Sequence, residues 1–156
     1  MKFIILGSGS SMGVPRADGF FGNCDPKNKK NYRTRCSALI KVSNKNILID
    51  TSPDLRQQLL RHKIKKIDIV LYSHMHADQT HGINDLRSFF INTKKQINIY
   101  ADKYTSKYLK RSFSYCFESF SKEYPATLKL NKLKKEFLSF DKKKKIKIKS
   151  IEVNHG

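Results

Sequence analysis

Cysteine is scarce in this chain, and its three copies do not form a paired motif. Cys24, Cys36 and Cys116 have no CxxC spacing, and their number is odd. A zinc knuckle or a disulfide framework would need closely spaced or paired cysteines. The chain therefore fits a reducing compartment, and we expect a cytoplasmic protein.

Long apolar runs are also absent. Only Phe3 to Leu6 are apolar between Lys2 and the glycine-rich GSGSSMG, which is too short for a signal peptide. No stretch approaches the ~20 apolar residues of a membrane span. We therefore expect a soluble protein with no membrane partner. At 156 residues and 38% hydrophobic content, residues 1–156 fit a single domain.

Acidic residues are few, at 13 against 32 lysines and arginines, so the formal net charge is +19. Clustered positive charge attracts phosphate-bearing substrates and nucleic acid. Lysine, asparagine and isoleucine are all abundant, and a compositional bias that leaves many lysines solvated would give the same charge. Both explanations stay open, so the charge gives only weak support to a phosphate-containing partner.

The most informative segment is IDIVLYSHMHADQTHG at residues 67–82, where an apolar strand pattern is followed by three histidines and an aspartate. Residues two apart in an extended chain point to one side, so His74, His76 and Asp78 can face the same cleft. Imidazole nitrogen and carboxylate oxygen are ligands for zinc and neighbouring divalent metals, and such a set commonly leaves a position for catalytic water. A polar surface loop is the alternative, but the spacing favours a metal site.

Strand and helix patterns alternate along the rest of the chain. We predict strands at 2–6, 38–42, 46–50, 67–72 and 97–100, and helices at about 52–62, 83–92 and 102–111, capped in the first case by Ser52 and in the last by Asp102. Residues 113–126 have no clear pattern, and Ile146 and Ile148 alternate with lysine in a final strand. The loop Gly7 to Gly13 fails the dinucleotide-binding pattern at Met12, so a tight turn passing close to the metal cleft is favoured.

Several motifs together resemble one family. HMHADQTHG is similar to the HxHxDH signature of the metallo-β-lactamase fold. The segments GSGSSMGVPR, RCSALI, ILIDTSPDLRQQLL and GINDLR resemble the PhnP-like branch, the phosphoribosyl cyclic phosphate phosphodiesterases and their relatives. The resemblance implies an α/β fold, the four-layer α/β/β/α sandwich, with its metals at one edge between the two sheets.

The resemblance also implies a role for individual residues. His74, His76 and His155 would bind a first metal, and Asp78 would bind a second. Asp50 would support the ligand loop from outside the metal shell. Arg16 and Arg87, which lie within matching motifs, could hold substrate phosphate, although an ion pair is the alternative for Arg87.

Two departures from the family pattern affect these expectations. Gln79 stands where the signature has its last histidine, so a second metal should bind more weakly or be a harder ion such as manganese. His81 lies close by, but we do not expect it to compensate. The family pattern also continues beyond Gly156 with a bridging aspartate and a last histidine. We therefore expect an N-terminal half to two-thirds of the fold, with apolar inner-sheet surface exposed and the fragment itself inactive and poorly soluble.

The function that the resemblance implies is hydrolysis of a small, cyclic phosphodiester by a metal-bound hydroxide oriented by Asp78, with one or two zinc ions as cofactor. A nuclease similar to ribonuclease Z, which processes tRNA 3′ ends, is an alternative that brings in nucleic acid as a partner. A lactamase or thioester hydrolase fits the flanking motifs less well. A non-catalytic or degenerate metal-binding module also stays open because of Gln79, and self-association is not excluded.

Overall fold

A mixed six-stranded sheet forms the centre of the fold, as seen in a computed structural model that describes residues 1–138 and 146–155. The strands follow one another in the order β1-β2-β3-β4-β5-β6. β1, β2 and β3 are antiparallel neighbours, and β3 to β6 run parallel. The strand bounds are Lys2–Gly7 (β1), Ser37–Val42 (β2), Lys45–Ile49 (β3), Ile69–Leu71 (β4), Ile97–Ala101 (β5) and Leu128–Lys132 (β6). A separate antiparallel pair consists of Glu136–Leu138 (β7) and Lys147–Lys149 (β8).

Helices occupy the crossover connections between the parallel strands, as parallel pairing requires. Leu55–Arg61 (α1) joins β3 to β4. The β4 to β5 connection contains Ala77–Thr80 (α2), a 3₁₀ helix Ile83–Leu86, and Arg87–Thr93 (α3). Lys103–Ser112 (α4) and Ser114–Phe117 (α5) precede β6, and a 3₁₀ helix Lys29–Asn31 lies between β1 and β2. Within the described ranges, each helix is too short or too polar to cross a bilayer.

One face of the sheet packs against the helices and forms the core. Leu39, Leu48, Val70 and Ile99 occupy successive paired positions across four strands, and each is 0% exposed. They belong to a cluster with residues from all three longer helices, including Leu55, Leu59, Phe89 and Leu109. Because burying apolar surface contributes about 25 cal/mol per Å², this cluster stabilises the fold.

The opposite face of the sheet is covered at its centre and open at the β1 edge. Ile47 and Ile69 are 1% and 2% exposed, whereas Phe3 and Ile5 are 59% and 61% exposed. Paired register places Phe3, Ile47 and Ile69 on this one face. The expected apolar exposure is therefore found among the described residues, but only at the edge strand.

The element predictions hold for most strands and need correction at several boundaries. The predicted N-cap Ser52 is displaced from the helix end: α1 begins at Leu55 after Asp54, and Ser52 instead closes the turn before it, where its Oγ accepts from Asp54 N at 3.1 Å and its carbonyl accepts from Leu55 N. The predicted helix 83–92 is divided into a 3₁₀ helix and α3. Asp102 does cap α4. The prediction missed β6, β7 and α5, and within the final predicted strand, 142–156, residues 142–145 and 156 lie outside the described residues.

The glycine loop after β1 makes its close contacts with the neighbouring chain segment at residues 33–35. A Cβ added at Gly7 would lie 2.1 Å from the Arg35 carbonyl oxygen, and one at Gly9 would lie 2.6 Å from that of Arg33. The expectation of a tight turn in place of a dinucleotide loop agrees with these contacts. Both contacts are with the backbone of residues 33–35 and not with the histidine loop. Glycine is therefore required at these positions by that neighbouring segment, and not by the metal cleft as we expected.

Candidate metal centre

Three imidazole rings meet beyond the carboxyl end of β4. His74 and His76 follow β4 directly, and His155 reaches them from the C-terminal segment. The ring centroid of His74 is 4.7 Å from those of His76 and His155, and Nε2 of His74 is 3.0 Å from Nδ1 of His76. One nitrogen from each ring lies within 4.8 Å of the others. The structure therefore brings together the three histidines that the resemblance assigned to a first metal.

The donor chemistry of this cluster fits a divalent metal ion. Partial burial, and then the nearby His76 and His155, lower the pKa of His74, which favours the neutral ring that a metal requires. Three neutral imidazoles are a ligand set suited to zinc and to neighbouring transition metals.

Asp50 and Ser73 orient His74 through a short hydrogen-bonded chain. The Asp50 carboxylate accepts from Ser73 N at 2.7 Å and from Ser73 Oγ at 2.7 Å. Ser73 Oγ lies 3.0 Å from His74 Nδ1. The serine has one hydroxyl hydrogen and uses it to donate to the carboxylate. We therefore assign the tautomer of His74 that carries its proton on Nδ1, and this N–H donates a hydrogen bond to Ser73 Oγ. Nε2 of His74 is then the unprotonated ring nitrogen, and it faces Nδ1 of His76.

Asp50 is buried and has an unusual backbone conformation. Its backbone lies in the left-handed region with φ of 59°, which aspartate tolerates better than most residues. The residue is 7% exposed, and burial raises the pKa of its carboxyl to about 6 despite the opposing hydrogen bonds from Ser73. The structure thus places Asp50 at the edge of the site, where the resemblance expected a supporting residue.

Asp78 and Gln79 lie on α2 and form an oxygen-bearing pair outside the three-histidine group. Gln79 Nε2 donates to Asp78 Oδ2 at 2.8 Å, which fixes the direction of the amide. Gln79 is 7% exposed, and its Oε1 atom is buried with no hydrogen-bond partner among the described residues. An amide oxygen in this state can accept a hydrogen bond or bind a hard cation. Their predicted roles as second-metal ligands stay predictions.

The loop that contains the ligands is clamped by Thr51. Its backbone N donates to the Gln79 carbonyl at 2.6 Å, and its carbonyl accepts from Gly82 N at 2.9 Å. Its fully buried hydroxyl lies 2.7 Å from the Tyr72 hydroxyl. Gly82 approaches so closely that an added Cβ would be 2.0 Å from the Ser52 carbonyl oxygen. These contacts fix the loop against the turn after β3.

The remaining predicted site residues lie outside the three-histidine group. His81 packs edge-on against Phe113 at 5.6 Å, and its Nδ1 lies 3.1 Å from Thr80 Oγ1. The Arg16 guanidinium is ion-paired with Asp18 and stacks on Phe20 at 4.6 Å. Arg87 is exposed on α3 and has no acidic partner within 4.0 Å among the residues described. The predicted phosphate-binding roles of both arginines stay predictions.

Sequence reasoning missed Ser73 and Thr51. Neither residue type signals a metal site, and both act through contacts with segments distant in sequence. Ser73 directly precedes the first histidine, which is the one local signal that could have indicated a supporting role.

The fold and the histidine site together define a protein of the metallo-β-lactamase class. A family model described as Beta-lactamase superfamily domain matches residues 45–156. The chain belongs to this family.

Among solved structures, a diphosphatase of the PhnP family is 34% identical and superposes with a TM-score of 0.71 over 86% of this chain and 51% of its own. Zinc-bound PqqB from Methylobacterium extorquens is 19% identical with a TM-score of 0.65, over 90% of this chain and 52% of its own, and shows the shared fold. The resemblance to the PhnP-like branch and the fold class are therefore confirmed, and the chain covers part of that fold.

Among curated proteins, an octanoyltransferase from Porphyromonas gingivalis is 38% identical over 86% of this chain but only 27% of its own length. A ribonuclease Z from Staphylococcus epidermidis is 33% identical over 60% of this chain and 33% of its own. The chain thus spans about a third or less of the curated relatives it matches. The match to the octanoyltransferase covers too little of that protein for its name to bear on this chain.

Proposed function

We propose that this chain forms the metal-binding part of a hydrolase that cleaves a small, cyclic phosphodiester. The observation that carries the proposal is the convergence of the three imidazoles of His74, His76 and His155. Support for a phosphorus-containing substrate comes from the relative named a PhnP-family diphosphatase, and support for a phosphodiester comes from the one named a ribonuclease Z.

The three histidines would hold one divalent metal, for which zinc suits the nitrogen donors. Asp78 and Gln79 would provide oxygen donors for a second ion, for which manganese is a better match than zinc. When bound, such an ion supplies Lewis acidity toward a phosphoryl oxygen and a nucleophilic water near neutral pH.

The residues of the chain orient this chemistry. Ionised Asp50 holds the Ser73 hydroxyl, which in turn holds the proton on Nδ1 of His74 and keeps Nε2 free. The Asp78 carboxylate is fixed on one side by the Gln79 amide, which would leave its other oxygen to bind the second ion and so to orient the attacking water beside it. The clamp at Thr51 holds these groups in position.

Substrate phosphate needs a cation that is free to bind it. Arg87 is exposed and has no acidic partner within the described part of the chain, and it follows the ligand loop by way of a 3₁₀ helix. Arg16 would first have to leave Asp18. We therefore assign the phosphate contact to Arg87, whose planar guanidinium suits a phosphate group.

The test is hydrolysis of bis(p-nitrophenyl) phosphate by the complete protein that contains this chain, with and without His76→Ala. We expect the variant to lose metal-dependent hydrolysis. His62→Ala is a matched control, because His62 caps the far end of α1 and should leave the rate unchanged. A His76→Ala variant with the wild-type rate would refute the role of the cluster.

A nuclease similar to ribonuclease Z is a second candidate, supported by the 33% identity to the staphylococcal protein and by the net charge of +19. Long nucleic acid binds through many phosphates, so its affinity should fall steeply with salt, whereas a small cyclic substrate should depend on salt only weakly. A steep salt dependence of kcat/KM would favour the nuclease.

A non-catalytic module is the third candidate, and Gln79 is the feature that favours it. Metal content separates this case from the other two, because a degenerate site would retain no metal after dialysis. A metal-free complete protein would therefore argue against both hydrolytic functions.

A further inference from the structure

A second concave site lies beside the metal-binding loop, between α3 and residues 115–127. Its volume is about 750 Å³, within the ~300–1,000 Å³ that is usual for small-molecule pockets. Four aromatic side chains contribute to its lining, namely Phe90, Tyr115, Phe120 and Tyr124. We refer to this site as the aromatic pocket.

The aromatic pocket exposes apolar surface that the described residues leave uncovered. Tyr115, Phe120 and Tyr124 are 50%, 67% and 64% exposed. Scattered exposed aromatic residues need no explanation, but a group that lines one concave site indicates a binding surface.

The loop that presents these rings is ordered by its own hydrogen bonds. Ser121 Oγ accepts from the backbone N of Glu123 and Tyr124, at 3.1 and 3.2 Å. Phe120 N donates to the Tyr124 carbonyl at 3.1 Å, which closes the turn between the two aromatic residues. The backbone that carries Phe120 and Tyr124 is therefore held in a turn before any ligand binds, which lowers the entropic cost of ordering this loop on binding.

The charges around the aromatic pocket favour an anionic ligand. Arg87, Lys94 and Lys122 line it, and none of them has an acidic partner within 4.0 Å in the described ranges. Glu123 is the one acidic lining residue in the part of the chain that the structure describes; it accepts a hydrogen bond from Ser121 Oγ at 2.6 Å, and that bond lowers the pKa of its carboxyl. The pocket thus combines apolar rings with an excess of positive charge.

The aromatic pocket is connected to the metal-binding loop through two contacts. The Tyr115 hydroxyl donates to Asn84 Oδ1, and Asn84 lies on the 3₁₀ helix that directly follows His81 and Gly82. The His81 ring packs on Phe113, which ends α4 just before Tyr115. A ligand in the pocket would therefore lie beside the segment that contains Asp78 and Gln79.

We propose that the aromatic pocket binds a nucleotide, with the base stacked on Phe120 and Tyr124 and the phosphate held by Arg87, Lys94 and Lys122. Stacking on aromatic side chains combined with nearby cations is how proteins hold nucleotide units without reading their sequence. A purely aliphatic ligand would leave the three cations without a role. If the proposed hydrolytic function holds, on which this last step rests, the substrate is a phosphodiester that contains a nucleoside.

Binding of AMP and of ribose phosphate, measured by calorimetry on the complete protein, tests the proposal. The two ligands differ by the base, so we expect AMP to bind more tightly. Phe120→Ala and Tyr124→Ala should each weaken AMP binding about 5- to 100-fold and leave ribose phosphate unaffected. Tyr104→Ala is the matched control, since Tyr104 is 79% exposed and does not line the pocket. Equal affinities for the two ligands, loss of AMP binding in the control alone, or no effect of either pocket variant would overturn the proposal.

Hydrolysis of a cyclic glycerophosphate, which has no base, separates this proposal from the proposed function. If AMP binds through Phe120 and Tyr124 but the protein does not hydrolyse cyclic glycerophosphate or a nucleoside cyclic phosphate, the pocket stands and the hydrolytic function fails. If cyclic glycerophosphate is hydrolysed and AMP does not bind, the function stands and the nucleotide pocket is refuted.

Discussion

Replacing Asp50 with asparagine should lower metal affinity while raising the stability of the metal-free protein at neutral pH. Burial raises the pKa of this carboxyl from 3.8 to about 6. Since a shift of one pKa unit corresponds to about 1.4 kcal/mol, ionised Asp50 lowers the free energy of unfolding of the metal-free protein by about 3 kcal/mol. The folded state binds this proton more tightly than the unfolded state does, so the cost is absent below about pH 4 and complete above about pH 6. Asparagine is neutral at every pH and removes that dependence.

The same substitution reverses the hydrogen-bonded chain to His74. The asparagine Nδ2 can only donate to Ser73 Oγ, so the serine hydroxyl must turn and donate to His74 Nδ1. The proton of His74 then moves to Nε2, the atom assigned to the metal. Loss of such a supporting contact typically weakens metal binding about 10- to 100-fold, or about 1.4 to 2.7 kcal/mol.

Two assays examine this prediction. Zinc titration calorimetry at pH 7.5 should show the weaker binding, and urea unfolding in EDTA should show the variant gaining stability relative to wild type between about pH 4 and pH 6. The reversed hydrogen bond to Ser73 Oγ changes the free energy of unfolding by an amount that does not depend on pH, so only the pH-dependent part is diagnostic. Asp25→Asn, at an exposed loop carboxylate, is the control and should change neither quantity. Unchanged zinc affinity in Asp50→Asn would refute the assigned chain of hydrogen bonds.

Three further outcomes are expected. Asp54→Asn should cost about 1 to 3 kcal/mol in urea unfolding at pH 7, because Asp54 accepts from Arg35 N, Nε and a terminal guanidinium nitrogen. Arg35 also lowers the pKa of Asp54, so this loss of stability should shrink as the pH falls below about 4, and a loss that does not change with pH would contradict the prediction. Ile99→Ala removes a fully buried side chain and should cost about 2 to 5 kcal/mol, whereas Ile151→Ala, at a residue 76% exposed, should cost little. Gln79→His should increase the zinc retained per chain after dialysis, because imidazole is a better zinc ligand than an amide, and unchanged zinc content would argue against a metal ion beside Gln79.

The ligand loop could be predicted from the sequence because its signal is local. Alternation in an extended segment places His74 and His76 on one side, and the apolar residues before them predict the buried strand that presents them. His155 has no such local signal, and its place in the cluster was expected only from the resemblance to a family. The structure places it 4.7 Å from His74 by ring centroids.

Other features depend on contacts between distant segments and could not be derived locally. Ser52 fits the sequence pattern of an N-cap, but its carbonyl accepts from Leu55 N and the close approach of Gly82 fixes that turn. Asp54 cannot cap α1 with its side chain because Arg35 holds both carboxylate oxygens. The aromatic residues after Phe113 showed no period because they line a pocket and turn, and do not belong to a long helix or strand.

Metal dependence of phosphodiester hydrolysis by the complete protein tests the central claim most directly. Bis(p-nitrophenyl) phosphate hydrolysis would be measured before EDTA treatment, after it, and after zinc or manganese is restored. The account predicts activity that is lost on chelation and regained with metal. Hydrolysis that persists at the same rate in EDTA, or a protein that remains inactive under every metal condition, would contradict it.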